Sequence, residues 1–462
     1  MLVRRRGTFL GGAFLPSRKA RTASAPIEPM PIGDRLRVPL AEGNQPPAAP
    51  VVHPEDRVVA GQLIARETQN GLAVHAPASG RVTALTAVDT TECFDVPCVE
   101  IATDPGQQPL VVNEKDRPAT PPPADRDQDA WFEMIQAGGL IGVEGGVSPW
   151  PSQESLASLL RTAKHHRVRN LVINGLETEP YLTGAHRILI EHADDVISGG
   201  IRLRTLLGKV RVWLAVAEAD RELIKRLRRQ ARSVREGRVR VIGVDTKYPG
   251  CSARLLAPSL LGRRVPPAGR CLDVRVCVLD VRTVLAANWA MEGSWSCTSS
   301  IVTISGEKVR LPGNYRIAIG TPVADVLRLA RTDLSGTPVV LAGGPLTGRA
   351  ITSLETVVTK STTTILVLDA QREQRGPTAC VRCGWCVDDC PVGLDPLALL
   401  NAAETGNQHK ARRLHVEGCI GCGVCSYVCP SGLPLASSIR SLKVQLRIGF
   451  PPSAGPGSTD GE

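Results

Sequence analysis

Aromatic residues are scarce, at 3% of 462 residues, and there are only 4 methionines. Cores therefore have to be built from Val, Leu, Ile and Ala, and interleaved aromatic platforms for nucleic acid are excluded. No uncharged apolar run reaches the ~18 residues that a membrane span requires. That excludes an integral helical membrane protein and leaves a peripheral one. Disorder throughout is excluded as well, since 42% of residues are apolar. What the chain has in quantity is 44 Gly and 36 Pro, a loop-rich composition at odds with one long helical bundle. Its length implies three or more domains.

The start of the chain is basic, with Arg4, Arg5, Arg6, Arg18, Lys19 and Arg21. Arg5-Arg6 ahead of Phe9 and Leu10 has the look of a twin-arginine signal, but Gly11 to Pro16 is too short for an apolar h-region. A cytosolic start is expected. Thiols stay reduced there, so the 14 cysteines need a role other than disulfides.

Eight of them form two copies of one pattern. The first is Cys380-x-x-Cys383-x-x-Cys386-x-x-x-Cys390-Pro391, the second Cys419-x-x-Cys422-x-x-Cys425-x-x-x-Cys429-Pro430. This is the bacterial [4Fe–4S] ferredoxin spacing, in which three close thiolates hold three corners of a cube. Gly384 and Gly423 let the backbone wrap a cluster and aim N–H groups at sulfur. In paired sites the fourth Cys ligates the other cluster. The expected sets are Cys380, Cys383, Cys386 and Cys429 for one cluster, and Cys419, Cys422, Cys425 and Cys390 for the other. Structural zinc, the competing reading, usually takes two separated Cys pairs rather than two triplets with a Pro-flanked fourth Cys. After the second copy, Leu435, Ile439, Leu442 and Leu446 fall at helical spacing and should cover the cluster module with one apolar face.

Residues 51–88 alternate short β-branched runs with Gly, Pro and Asn turns, the phrasing of a biotinyl/lipoyl-type barrel sandwich. The swinging-arm lysine is missing, because the hairpin near Gly71 offers Leu72 and Ala73, so no carrier role is expected; His75 reads as a turn or core residue. A Pro- and charge-rich stretch follows as a linker. Strands at 170–174, 210–216, 238–244 and 274–279 then alternate with helices, as in an α/β sheet. Residues 301–368 read as a second small β-rich module, with turns at Gly306, Pro312-Gly313-Asn314, Gly343-Gly344-Pro345 and Gly348. An Arg-rich helix from Asp220 to Gly237 carries Leu223, Leu227, Ala231 and Val234 on its other face. A solvated amphipathic helix is the plain reading, and docking to an acidic electron-transfer partner or anionic headgroups also fits the net charge of +10. Cys93, Cys98, Cys251, Cys271, Cys277 and Cys297 have no ligand spacing and should be buried thiols.

In order, these pieces resemble the C subunit of the Rnf ion-translocating ferredoxin:NAD⁺ oxidoreductase, a family related to the NADH- and flavin-binding subunit of respiratory complex I. The resemblance runs through Phe9-x-Gly11-Gly12, PIEPMPIGDRLRVPL, NGLETEPYLT (174–183), KYPGCSARLL (247–256), VTISGEKVRLPGNYRIAIGTP, AGGPLTG and the twin cysteine motifs. It implies a multidomain α/β protein: a basic segment 1–30, a barrel-sandwich module 31–103, a linker 104–130, an NADH/FMN-type α/β domain 131–300, a β-grasp-like module 301–369, a helical two-cluster ferredoxin domain 370–448 and a tail 449–462. It further implies a peripheral subunit on the cytoplasmic face of the inner membrane. Its partners would be the rest of the complex, a ferredoxin or flavodoxin-type carrier and the membrane surface, with no nucleic acid. FMN and NADH contacts would fall at Gly142, Gly145, Gly146, Asn174, Glu177 and Glu179.

The chain departs from the family pattern in three loops. The flavin loop G-L-G-G-A-G-F-P-T is here Gly142-Val143-Glu144-Gly145-Gly146-Val147-Ser148-Pro149-Trp150, with a carboxylate where a phosphate would sit. E-C-E-P is Glu177-Thr178-Glu179-Pro180, and the acid after Y-P-x-G-G is replaced within Gly250-Cys251-Ser252-Ala253. The expectation is a divergent member with intact clusters and weakened or lost NADH and FMN binding. Its function would be electron relay through two clusters; the alternative is a cluster-bearing scaffold without catalysis. A lone soluble NADH reductase is disfavoured by the altered glycine loop.

Overall fold

The computed structural model describes residues 8–43, 45–68, 71–110, 128–145, 154–234, 239–293, 296–369 and 376–446. The expected linker lies mostly outside these residues, as do the tail, Arg4 to Arg6 and the loop from Gly146 to Trp150.

Four apolar runs make an all-parallel sheet in the order Val239–Val244, Arg211–Ala217, Asn170–Asn174, Val276–Asp280. The Asn170–Asn174 and Val276–Asp280 strands are buried along their whole length, as strands covered on both faces must be. On one face Leu171 and Ile173 meet Val196, Leu203 and Val284 from the helices Ala193–Leu206 and Val281–Met291. On the other, Val172 and Val278 join a cluster with Leu256 and Leu260 of the Ala253–Leu261 helix, together with Ile420 and Val424 of the second cysteine loop. The strand order places a topological switch point between the first and fourth strands of the chain, where α/β sheets open a crevice beyond the carboxyl ends.

The Arg-rich helix spans Arg221–Ser233, capped by the Asp220 carboxylate accepting from Leu223 N at 3.0 Å. Leu223, Ile224, Leu227 and Ala231 are buried, whereas Val234 has left the helix, takes an extended backbone and is exposed. The expected helical face thus stops one residue short of Val234. Two of its cations fold back: Arg226 donates to the carbonyls of Leu189 and Ile190, and Arg228 to that of Val241.

Two small antiparallel sheets build the barrel sandwich. One is ordered Arg35–Pro39, Val96–Thr103, Gly80–Val88, Arg57–Val58, the other Ala49–Pro50, Leu63–Arg66, Val74–His75. Leu72 and Ala73 of its hairpin are buried, and the Ala73 carbonyl accepts from Lys360 Nζ at 3.0 Å while Gly139 O accepts at 2.8 Å. The hairpin that swings in carrier domains is here bolted between two neighbours.

The β-rich module is a six-stranded mixed sheet, and its first strand is Ile27–Pro29, parallel to Gly313–Ala318. The N-terminal segment is thus more than a basic lead-in. Gly313 and Asn314, expected in a turn, pair with Ile304 and Thr303 instead. The reason lies in the Asn314 amide: Nδ2 donates to Thr22 O (2.9 Å) and Ala25 O (3.1 Å), and Oδ1 accepts from Thr183 and Thr303 hydroxyls, both at 2.9 Å. A buried Asn with such partners outweighs its turn preference. In the C-terminal module, Leu435, Ile439, Leu442 and Leu446 do form one buried face, packed on Leu399, Ala402, Ala411 and Val416.

Candidate functional site

Each cysteine loop wraps through a glycine in the left-handed region, Gly384 at φ 83° and Gly423 at φ 77°, before a short helix. Backbone N–H groups turn toward sulfur: Arg382 N to Cys380 Sγ at 3.4 Å, Gly421 N to Cys419 Sγ at 3.3 Å, and Leu394 N to Cys390 Sγ at 3.3 Å. The thiols also cross over. Burial pushes the Cys386 thiol up, and its neighbours Asp395, Cys383 and Cys429 push further. Burial does the same to Cys422, whose neighbouring thiols are Cys419, Cys425 and Cys390. Cys429 is thus a neighbour of Cys386, and Cys390 a neighbour of Cys419, Cys422 and Cys425. Donors to sulfur and a crossed fourth Cys suit a pair of [4Fe–4S] clusters, which hold their iron through thiolates.

The surroundings of the two loops differ sharply. Cys380 and Cys383 are exposed, in a loop that also exposes Val381 (67%) and Trp385 (54%). Cys422 is 8% exposed, between the buried Ile420 and Val424. The second loop is also fastened through its carbonyls. Buried Tyr248 donates its hydroxyl to Cys422 O at 2.5 Å, Arg440 donates to Gly421 O at 2.9 Å, and Lys443 Nζ to Cys419 O at 2.7 Å. The Phe9-x-Gly11-Gly12 strap completes the joint. Ala13 and Tyr248 exchange backbone hydrogen bonds, and Gly12 N donates to Asp389 O at 2.8 Å. A Cβ on Gly11 would collide with the carbonyls of Asp389 and Cys390.

At the switch point the structure gathers Gly145, Asn174 and Asp280: a Cβ on Gly145 would lie 2.8 Å from the Asp280 carboxylate and 2.9 Å from the Asn174 amide. Their polar atoms are already engaged. Asn174 Nδ2 donates to Cys251 O at 2.8 Å, and its Oδ1 accepts from Leu176 N at 3.2 Å. Glu177 caps the Gly184–Glu191 helix, accepting from Ala185 N at 2.9 Å, and pairs with Arg282 at 2.7 Å. Burial works against this carboxylate, yet Arg282, Lys19 and the Ala185 N–H together hold it below the usual carboxylate range. Arg282 also lies 3.5 Å from Asp280, and Lys19 donates to Glu177 O. Glu179 accepts from Leu346 N (2.7 Å), Thr347 N (3.0 Å) and the Thr347 hydroxyl (2.8 Å), which ties it to the AGGPLTG loop. A Cβ on Gly344 would overlap its carboxyl, hence the glycine. Gly142 packs on Leu159 in a short strand, and Gly146 lies outside the described residues. Burial raises the Glu144 carboxyl, with Arg270, Glu154 and Arg254 as its charged neighbours. Among the described residues, the side chains of Asn174, Glu177 and Glu179 are engaged by contacts within the chain.

The departures in two loops answer each other. Thr178, which stands where the family pattern has Cys, donates its hydroxyl to Cys251 Sγ at 3.0 Å, and Cys251 stands in the stretch where the pattern has Gly-Gly. Lys19, Tyr248, Asp280, Arg282, Arg440 and Lys443 carry no spacing or motif of their own that marks them as part of the site. Only the KYPGCSARLL resemblance points near Tyr248.

Among known families, residues 7–106 match the RnfC barrel sandwich hybrid domain and 135–289 the Nuo51 FMN-binding domain. Residues 301–331 match the SLBB domain and 372–430 the 4Fe-4S dicluster domain. The chain is 34% identical over 451 residues to the C subunit of the ion-translocating oxidoreductase complex of Yersinia pestis bv. Antiqua, covering 95% of this chain and 69% of that one. Its counterpart from Pectobacterium carotovorum subsp. carotovorum is 31% identical over 443 residues, covering 95% of this chain and 57% of its own length. The chain thus spans from about half to two thirds of these relatives' length. Among solved structures, an NAD⁺-reducing [NiFe]-hydrogenase in the H₂-reduced state is similar at TM-score 0.48 and 18% identity, covering 71% of this chain and 64% of that chain.

Proposed function

Because the chain belongs to the family of C subunits of the ion-translocating oxidoreductase complex, we propose that it is the electron-relay subunit of such a membrane complex, with two [4Fe–4S] clusters in series. Each cluster, when bound, supplies transfer of one electron at a time without making or breaking a bond at carbon. Cys380, Cys383, Cys386 and Cys429 hold the outer one, and Cys419, Cys422, Cys425 and Cys390 the inner one. The twin cysteine motifs, matched over residues 372–430 by the 4Fe-4S dicluster domain, carry this reading, and the nearness of Cys429 to Cys386 and of Cys390 to Cys422 supports the crossed sets.

The chain's own residues give the relay a direction in space. Tyr248 ties the inner loop to the α/β domain, and Arg440 ties it to the Leu346 loop of the β-rich module. The outer loop offers Val381, Trp385 and Val387 to a partner; exposed aromatic and aliphatic side chains grouped around a redox centre make a protein-docking rim. Another member of the complex, or a small ferredoxin or flavodoxin-type carrier, would cover it. Among the described residues no helix is long and apolar enough to cross a membrane, so attachment through neighbouring proteins of the complex or at the cytoplasmic membrane surface fits. No flavin enters this reading, since the side chains of Asn174 and Glu177 are engaged within the α/β domain and that of Glu179 by the Leu346 loop.

Anaerobic purification with iron, sulfide and flavin counts tests it. About eight iron and eight sulfide per chain are expected, with FMN below one per chain. Zinc, or no inorganic sulfide, would overturn the relay. Unchanged electron flow in membranes carrying Cys383→Ala would leave only a scaffold.

A further inference from the structure

The two halves of the cluster module repeat in sequence but not in charge. After the outer loop, the Pro396–Glu404 helix (PLALLNAAE) carries no cation. After the inner loop, the matching Leu435–Gln445 helix (LASSIRSLKVQ) carries Arg440 and Lys443, one turn apart. Both reach back beneath the inner loop, to Gly421 O and Cys419 O. Cys419 has both among its nearest charges, and Arg254 approaches the same thiol from the α/β domain. On the outer side the charged side chain that acts on Cys386 is Asp395, an acid, and the loop's own cation, Arg382, is exposed to solvent.

Lys443 is 4% exposed although its ammonium accepts a desolvation cost there. A surface role would not demand that burial. Arg440 fastens two backbone carbonyls at once, Leu346 O and Gly421 O, so its position is fixed rather than averaged. Burial by itself disfavours the more negative, reduced form of a thiolate-bound cluster, since charge is costly where water is excluded. A fixed cation close by favours that form, and in a site of low dielectric it does so strongly.

We infer that Arg440 and Lys443 are potential-setting residues of the inner cluster, offsetting its burial so that it can exchange electrons with the exposed outer one. This rests on the two-cluster reading above. The balance is simple: an electron gained at the inner site is one lost at the outer site, with no proton transferred and no other reactant.

The test is a dithionite-poised redox titration of the full chain, followed by EPR, with iron and sulfide counted on the same samples. Arg440→Gln and Lys443→Gln should each lower the inner midpoint potential and leave the outer one in place. Arg440→Lys and Lys443→Arg, which keep the charge, should stay near the parent. A purely structural role would make the charge-keeping variants as disturbed as the neutral ones, and that result would overturn the inference. Should the neutral variants lose iron, Asp395→Asn supplies the converse. Its amide oxygen can still cap Ala398 N, and removing the acid should raise the outer midpoint alone. Potentials that do not move in any variant, in chains with full iron, would sink the inference while leaving the relay intact. Chains without sulfide would sink the relay itself.

Discussion

The two cysteine loops carry nearly the same fifteen-residue pattern and live in opposite environments. In the outer triplet Cys380 and Cys383 are exposed beside Val381 and Trp385, whereas in the inner one Cys422 is buried in one cluster with Tyr248 and Leu256. Ligation is local, so a repeated spacing encodes it twice. The use made of each site is set by residues far away in sequence: a strap at Gly11 and Gly12, a tyrosine at 248, a glycine at 344, two cations near the carboxyl end. One repeated motif writes two equal holders into the chain, and the surrounding domains leave one largely open and draw the other inward.

The sharpest break of this comparison is to remove one thiol from each side. Cys383→Ala and Cys422→Ala should each abolish electron flow and roughly halve the iron content. They should differ in stability. Loss of the outer site leaves the apolar contact with the α/β domain untouched, whereas Cys422 belongs to that buried cluster. Thermal melting should therefore drop further for Cys422→Ala, and equal melting temperatures would show that the inner loop is not a structural joint.

Glu179 probes the joint from the other side. Its carboxyl satisfies three donors in the Leu346 loop, whose carbonyl in turn accepts from Arg440. Glu179→Ala leaves those donors buried without partners and should cost about 1–3 kcal/mol by denaturant unfolding. Burial raises this carboxyl above its ordinary value despite the donors. The folded chain then keeps a proton that the unfolded chain has released, so stability falls as pH rises from the ordinary carboxylate range through the raised folded value. Glu179→Gln can still accept from Leu346 N and Thr347 N. It should shed this part of the pH dependence, and identical pH profiles for parent and variant would show that the carboxyl is not strained by burial.

Trp385→Ala tests the outer rim. At 54% exposure the side chain contributes little to folding, and stability should move by no more than about 0.5 kcal/mol. Electron exchange with the partner should slow by roughly tenfold if the indole is an anchor of the docking rim. A stability loss with unchanged exchange would reverse the assignment.

Much of this was legible in the sequence. Ligand spacing is read over eleven residues, and the parallel strands announce themselves as unbroken buried runs such as Leu171-Val172-Ile173. The meaning of single charges was not legible. Glu177 and Glu179 sit beside a flavin-like loop and read as ligand contacts, yet their partners Arg282 and Thr347 are 105 and 168 residues away. Arg440 and Lys443 look like any cations on a closing helix, and only the fold brings Gly421 O and Cys419 O under them. Asn314 invited a turn assignment because its four partners come from three other segments. What escapes a linear reading here is the satisfaction of buried polar groups across domains, which no local window contains.

The finest cut is a single oxygen. Tyr248 is fully buried, and its hydroxyl donates to Cys422 O at 2.5 Å. Tyr248→Phe keeps the ring in the apolar cluster and leaves the carbonyl without this donor, so the cost should be near ~1 kcal/mol. Iron content should be unchanged, because no thiol is altered. Hydrogen exchange should rise in residues 419–425 and stay constant in residues 380–386. Equal change in both loops would mean that the strap through Gly12 and Asp389 couples them, and that inner and outer sites are one mechanical unit after all.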